Sequence, residues 1–265
     1  MFLVVDIGNS HTVSGMFAGD QLIGQWRMQS TRKSTADELI IQYHALWQMA
    51  DIALENIESI IIASVVPTLE NAWIACCEKY LGARLCKNLF VVRVDNLREM
   101  IRVDLDNPAE VGADRLVNSI AAWHRYQSRL VVIDFGTAIT FDCVGEGCTY
   151  LGGAILPGIA ISLEALANRT ARLPHIDISA APAGVIGKST VQAMKSGIMH
   201  GYGAMVDGLV AGIRQEMGVG KDEPFKVIAT GGMARLLAPF SASIEVVDPL
   251  LTVSGLALIH AKLKV

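Results

Sequence analysis

Two short stretches of the chain carry residue types suited to holding a polyphosphate. Val4-Val5-Asp6-Ile7-Gly8-Asn9-Ser10-His11-Thr12 and Val132-Ile133-Asp134-Phe135-Gly136-Thr137-Ala138-Ile139-Thr140 each run an apolar strand into Asp-x-Gly and then into hydroxyl or amide side chains. Glycine in such a turn lets the backbone approach phosphate oxygens, while neighbouring hydroxyls and amides donate to them. The Asp at the strand end holds a cation or its water shell and offsets phosphate charge. One Asp-x-Gly is an ordinary turn. Two copies, with Asp, Gly and Thr matching 128 positions apart in a chain of 265, read as an internal duplication. A third stretch, Val227-Ile228-Ala229-Thr230-Gly231-Gly232, is a strand leading into a double glycine and offers a flat wall for an adenine ring.

Asp114 is the candidate base. It stands beside Arg115 at the start of a helical stretch, so the helix dipole and the guanidinium favour its ionised form, ready to accept a hydroxyl proton. The alternative role for Asp114 is a simple N-cap. The six histidines show no metal-ligand spacing, and His11 alone lies in a phosphate turn. Two near-matches are set aside. Gly184–Thr190 imitates a P-loop but has Pro182 where the first glycine belongs, and Gly201-Tyr202-Gly203 has Val206 in place of the third glycine of a dinucleotide fingerprint.

The elements that position these residues follow from periodicity. Strands are expected at Phe2–Val5, Thr12–Phe17 and Leu22–Met28, with Gly19-Asp20 as a turn. Thr35-Ala36-Asp37-Glu38 has the form of a capping box before a helix with Leu39, Ile40, Tyr43, Leu46 and Trp47 at helical spacing. Next come a buried strand Ser59–Val66 ended by Pro67, a helix Leu69–Leu81, a strand Phe90–Val94 and a helix Ala113–Tyr126. The pattern restarts at Leu130 and continues with two further strand-like runs and a helix from Gly158 to about Asn168. After a Pro/Ala-rich connection come a long helix Thr190–Met217, strands Phe225–Ala229 and Ile244–Val247, and a closing helix. The fold class is therefore α/β, with two duplicated halves facing each other across a cleft.

Composition is consistent with this. Hydrophobic residues make up 52% and charged residues 18%, which excludes disorder, and five cysteines without a C-x-x-C pair exclude a disulfide or zinc framework. Cys76, Cys77, Cys86, Cys143 and Cys148 read as buried reduced thiols. Net charge is −4 without a basic cluster, which argues against nucleic acid as a partner. Mean hydropathy is high at +0.40. The longest weakly polar run, Tyr150 to Ala167, is interrupted by Pro157, three glycines and Glu164, so no membrane span is expected. The start, with Asp6 close to Met1 and no basic leader, points to a cytoplasmic protein.

The paired Asp-x-Gly turns and the terminal Gly-Gly resemble the phosphate and adenosine motifs of the superfamily joining acetate and sugar kinases, heat-shock chaperone ATPases and actin. More narrowly, Asn107-Pro108-x-x-x-Gly112-Ala113-Asp114-Arg115 with Gly152-Gly153-x-Ile155-x-Pro157-Gly158 resembles type III pantothenate kinase. That resemblance implies two actin-like (ribonuclease H-like) domains, 1–115 and 116–265. It implies ATP contacts at Asp6, Ile7, Gly8, Asn9, Ser10, His11, Thr12, Val13, Gly136, Thr137, Gly231 and Gly232. Pantothenate contacts fall at Leu105, Gly112, Ala113, Asp114, Arg115 and Thr190, with Asp114 as proton acceptor. Asp134 matches a monovalent-cation ligand, for K+ or NH4+, and Asp6 would hold Mg2+ through water. The implied reaction is phosphorylation of pantothenate by ATP, the first step towards coenzyme A, by a homodimer. Leu105 departs from the family pattern, which commonly has Tyr there. Three other readings stay open: a non-catalytic transcriptional accessory factor of the same family, a related kinase for another hydroxyl or carboxylate substrate, and an actin-like filament protein.

Overall fold

The computed structural model describes residues 1–82 and 88–263; Cys86 lies outside them. The chain divides into two compact units. The first comprises Met1–Arg102, Asp106–Ala121 and Leu251–Val265, and the second Val103–Leu105 and Ala122–Leu250.

In the first unit β1 (Phe2–Ile7), β2 (His11–Ala18) and β3 (Gln21–Gln29) form an antiparallel meander, followed by α1 (Ala36–Met49) and β4 (Ser59–Ser64). Next come α2 (Pro67–Cys76) and β5 (Leu89–Val91), and the sheet order is β3-β2-β1-β4-β5. β4 lies parallel to β1, with Asp6 opposite Ala63. Leu3, Val4, Val5 and Ile7 on β1 and Ile60, Ile61 and Ile62 on β4 are fully buried, as expected for central strands covered on both faces.

The capping box forms as expected. Glu38 N–H donates to Thr35 Oγ1 at 3.3 Å and Thr35 N–H donates to Glu38 Oε2 at 2.8 Å. It starts α1 so that Leu39, Tyr43 and Trp47 face inward, where Tyr43 meets Trp73 of α2 edge to face with ring centroids 4.6 Å apart.

The strand ends at Ser64, before the expected Val66, and Pro67 starts α2 rather than merely ending the strand. Proline suits a first helical position because no N–H is needed there. The α-helix also stops sooner than expected, at Cys76, and the chain completes one wider turn, Cys77–Leu81, before Gly82 turns it away with φ of 80°.

The second unit repeats the plan. β6 (Arg102–Val103) adds an edge strand, and α3 (Ala113–Tyr126) leads from the first unit into β7 (Arg129–Phe135), β8 (Ala138–Gly145) and β9 (Thr149–Pro157). After α4 (Ile159–Arg169) and α5 (Thr190–Glu216) come β10 (Phe225–Thr230), α6 (Ala234–Leu237) and β11 (Val246–Val247). Sheet order is β11-β10-β7-β8-β9-β6. Read outward from the first strand of each meander, β9-β8-β7-β10-β11 reproduces β3-β2-β1-β4-β5, with β10 parallel to β7 and β11 parallel to β10. The duplication inferred from the motifs is thus a duplication of topology.

The closing helix α7 (Leu251–Leu263) belongs to the first unit and packs against β1, β2 and β4. Gly15 on β2 admits it, since a Cβ there would stand 2.8 Å from Val253. His260 stacks on Phe2 with ring centroids 3.8 Å apart and is hydrogen-bonded through Nε2 to Ser59 Oγ at 2.6 Å. Among the described residues no helix is long and apolar enough to cross a membrane.

Candidate active site

The first Asp-x-Gly turn joins β1 to β2. Gly8 N–H donates to the His11 carbonyl at 3.0 Å, and a Cβ on Gly8 would stand 2.9 Å from that oxygen, so the tight turn demands glycine. Asn9, Ser10 and His11 are exposed at its tip, where Arg32 donates to Asn9 Oδ1 at 3.1 Å. An open pocket of about 540 Å³ lies against them, lined by Asn9, Ser10, His11, Arg27, Gln29 and Ser30.

The second turn joins β7 to β8, with Gly136 N–H donating to the Ala138 carbonyl at 3.1 Å. The two turns differ in one respect that motif alignment conceals. Asp6 pairs with Val13 across the hairpin, whereas Asp134 pairs with Thr140, so the first loop is one residue longer. Thr12 and Thr140 match in sequence but not in register. Thr12 is buried, its hydroxyl 2.9 Å from Ser30 Oγ; Thr140 donates to Asp142 Oδ2 at 2.9 Å. Asp142, fully buried, also accepts from Tyr150 OH at 2.8 Å.

Around the second turn the fold brings together residues far apart in sequence. Gly231 has φ of 89°, and a Cβ there would stand 2.3 Å from Asp134 Oδ1 and 2.7 Å from Phe135 N. The double glycine at the end of β10 therefore lies against the strand-end aspartate, with Gly232 next in the chain. Gly158 closes the other side: its N–H donates to the Thr137 carbonyl at 3.1 Å, and a Cβ would fall 2.1 Å from that oxygen.

In the first unit, Asp114 is the second residue of α3, inside the helix rather than at its cap. Its Oδ1 accepts from Arg115 N–H at 2.8 Å. Gly112 leaves room for this carboxylate, because a Cβ there would be 2.5 Å from Asp114 Oδ1 and 3.4 Å from Val65. Val65 in turn donates its N–H to the Ile7 carbonyl at 3.0 Å. One residue thus joins the Asp6 turn to the Gly112–Arg115 segment at the same end of the sheet. Neither Val65 nor Arg27 was among the residues singled out by motif; both are exposed only by strand pairing.

In the second unit, Leu105 packs over β9, its Cδ2 3.2 Å from where a Cβ on Gly152 would lie. Thr190 is exposed at the first position of α5, capped by Ser189, which accepts from Gln192 N–H at 3.3 Å. Gly187 lets the preceding loop fold onto this helix, since a Cβ would meet Ala193 N at 2.2 Å. The apparent P-loop is therefore a helix start. Gly203 is likewise a packing residue, its missing Cβ making way for the Phe240 carbonyl.

Hard oxygen donors stand in each turn, Asp6 and Ser10 in the first and Asp134 and Thr137 in the second, and by chemistry each set suits Mg2+ or a monovalent cation. Among the described residues no group of three or more His, Cys, Asp or Glu side chains is arranged to hold a metal. A Mg2+ ion here would take most of its ligands from phosphate and water, its usual habit. Cys76, Cys77, Cys143 and Cys148 are buried, and burial pushes the Cys76 and Cys148 thiols up to about 12, which makes those two poor nucleophiles.

Comparison with known proteins settles the family. The family model for type III pantothenate kinase matches residues 2–212. The chain belongs to the type III pantothenate kinase family. A relative from Desulfotalea psychrophila, named type III pantothenate kinase, is 55% identical over 264 residues, covering 100% of this chain and 99% of its own.

Among solved structures, a Campylobacter jejuni protein named for the Baf family of transcriptional activators aligns with a TM-score of 0.59 and 21% identity, covering 99% of this chain and 98% of its own. The inorganic polyphosphate/ATP-glucomannokinase of Arthrobacter sp. strain KM aligns with a TM-score of 0.50 and 13% identity, covering 99% and 98%. At such identities these two speak for the shared duplicated α/β fold alone.

Proposed function

We propose that this member of the type III pantothenate kinase family transfers the γ-phosphoryl group of ATP to the primary hydroxyl of pantothenate, using the residues of the two turns and the Gly112–Arg115 segment. The observation that carries this reading is the Val65 link: the Asp6 turn and Asp114 are held at one end of one sheet. Donor and acceptor sites must be adjacent for in-line transfer, in which positioning and charge stabilisation supply most of the catalysis.

Asp114 accepts the hydroxyl proton as the oxygen attacks phosphorus. Arg115 N–H donates to its carboxylate, which favours the ionised form the base needs. Arg115 and Leu105 hold pantothenate, with Gly112, Ala113 and Thr190. Backbone and side chains from Asp6 to Val13, with Gly136 and Thr137, hold the phosphates, and Gly231 and Gly232 receive the adenosine. Asp6 would hold Mg2+ through water and Asp134 the monovalent cation; these ions offset phosphate charge when bound.

The family resemblance supports a homodimer, and exposed Ile155, Val185 and Ile186 supply apolar surface for it. The decisive experiment assays the purified chain with ATP, Mg2+ and K+ for 4′-phosphopantothenate, with and without pantothenate. Product formation that depends on pantothenate is expected. No turnover under any cation condition would overturn the proposal.

A further inference from the structure

The strand register places an unassigned cation in line with the first aspartate. Asp6 lies opposite Val13, and Val13 lies opposite Arg27, so the three share one rung and one face of the sheet. Strands lie about 4.8 Å apart, which sets Asp6 and Arg27 about 10 Å from each other, with the Asn9–His11 turn at the end of the same hairpin. Two residues further along, on the same face, His11 lies opposite Gln29, and Arg27, Gln29 and the turn line the open pocket together. Arg27 is exposed and, among the described residues, its guanidinium makes no hydrogen bond or ion pair. The neighbouring Arg32, by contrast, is engaged with Asn9.

The second unit makes the comparison informative. There the matching rung runs Asp134, Thr140, Ile155, so an exposed isoleucine stands where the first unit has arginine. The duplicated frame is thus charged differently in its two copies. No carboxylate lines the pocket, and an unpaired guanidinium beside a turn of amides and hydroxyls is suited to an oxyanion.

We infer that Arg27 is a further phosphate-binding residue of the nucleotide site, its guanidinium pairing with the terminal phosphate of ATP on the side of the turn opposite Asp6. The inference rests on the assignment of the Asp6 turn to ATP phosphates. A hydrogen-bonded ion contact of this kind is worth about tenfold to a hundredfold in affinity.

The test compares Arg27→Gln, Arg27→Lys and Asp6→Asn with the unaltered chain, measuring KM for ATP and for pantothenate, and binding of ATP, ADP and AMP by calorimetry. Arg27→Gln is expected to raise the ATP KM by about tenfold to a hundredfold while AMP binding and the pantothenate KM hold, and Arg27→Lys is expected to restore part of the loss. Thermal midpoints should match, because the side chain is exposed. An unchanged ATP KM in Arg27→Gln, or equal weakening of ATP and AMP, overturns the inference. If Asp6→Asn weakens ATP binding and Arg27→Gln does not, the assignment of the turn stands and Arg27 alone is excluded. If neither does, the turn itself is misassigned.

Discussion

Gly231 and Asp134 are in close contact: the Asp134 carboxylate stands where a side chain on Gly231 would have to go, its Oδ1 2.3 Å from the position of a Cβ. The terminal Gly-Gly and the second Asp-x-Gly turn are therefore a single structural unit, and a change in one is transmitted to the other.

Gly231→Ala should displace the Asp134 carboxylate and strain a backbone whose φ is 89°. The backbone strain alone costs about 1–3 kcal/mol. The thermal midpoint should drop, and activation by K+ should weaken more than activation by Mg2+. A K+ titration that overlays that of the unaltered enzyme would show that Asp134 is not the monovalent-cation ligand.

Asp114→Asn keeps an oxygen able to accept from Arg115 N–H, so the start of α3 should persist. Turnover should fall by about 10²–10⁴-fold, the usual share of a general base, with ATP affinity retained. Rapid-quench turnover together with calorimetry for ATP separates the two effects. Full activity in this variant would remove Asp114 from the mechanism.

Leu105→Tyr restores the hydroxyl common in the family. The side chain at position 105 packs directly on Gly152, whose φ is 102° and which has no Cβ to oppose it. One added hydrogen bond should lower the pantothenate KM about fivefold and leave the ATP KM unaltered. A higher pantothenate KM would mean that the pocket has adapted to leucine.

The stability of the first unit should depend on pH through His260. Burial, and after it the positive amino terminus of Met1, hold its imidazole below the usual 6.5. Above pH 6.5 both folded and unfolded chains carry it neutral. As pH falls below 6.5 the unfolded chain takes up a proton that the folded chain resists, so stability declines until the lowered folded value is passed. Thermal midpoints measured from about pH 7.5 down to about pH 5 should fall, and less steeply in His260→Phe. Equal slopes would place the titrating group elsewhere.

Much of this was legible in the amino-acid order because it is local. Thr35 and Glu38 are three residues apart and announce their helix, and each Asp-x-Gly-containing hairpin closes on itself. What escaped depends on contacts between distant segments. The offset between Thr12 and Thr140 comes from hairpin length, which repeated letters do not encode. Val65 matters only because β4 lies beside β1, and Arg27 only because β3 lies in register with β2. Pro67 was read for its power to stop a strand, when its missing N–H equally qualifies it to open a helix.

The position of α7 sets an order for the birth of the molecule. β1 to β3 precede residues 122–250 in synthesis, yet the helix that lies on β1, β2 and β4 follows those residues. The usual sequence, in which the leading domain is complete before the next is made, is inverted. The segment Ala122–Leu250 has its strands available earlier, while β1, β2 and β4 wait for α7.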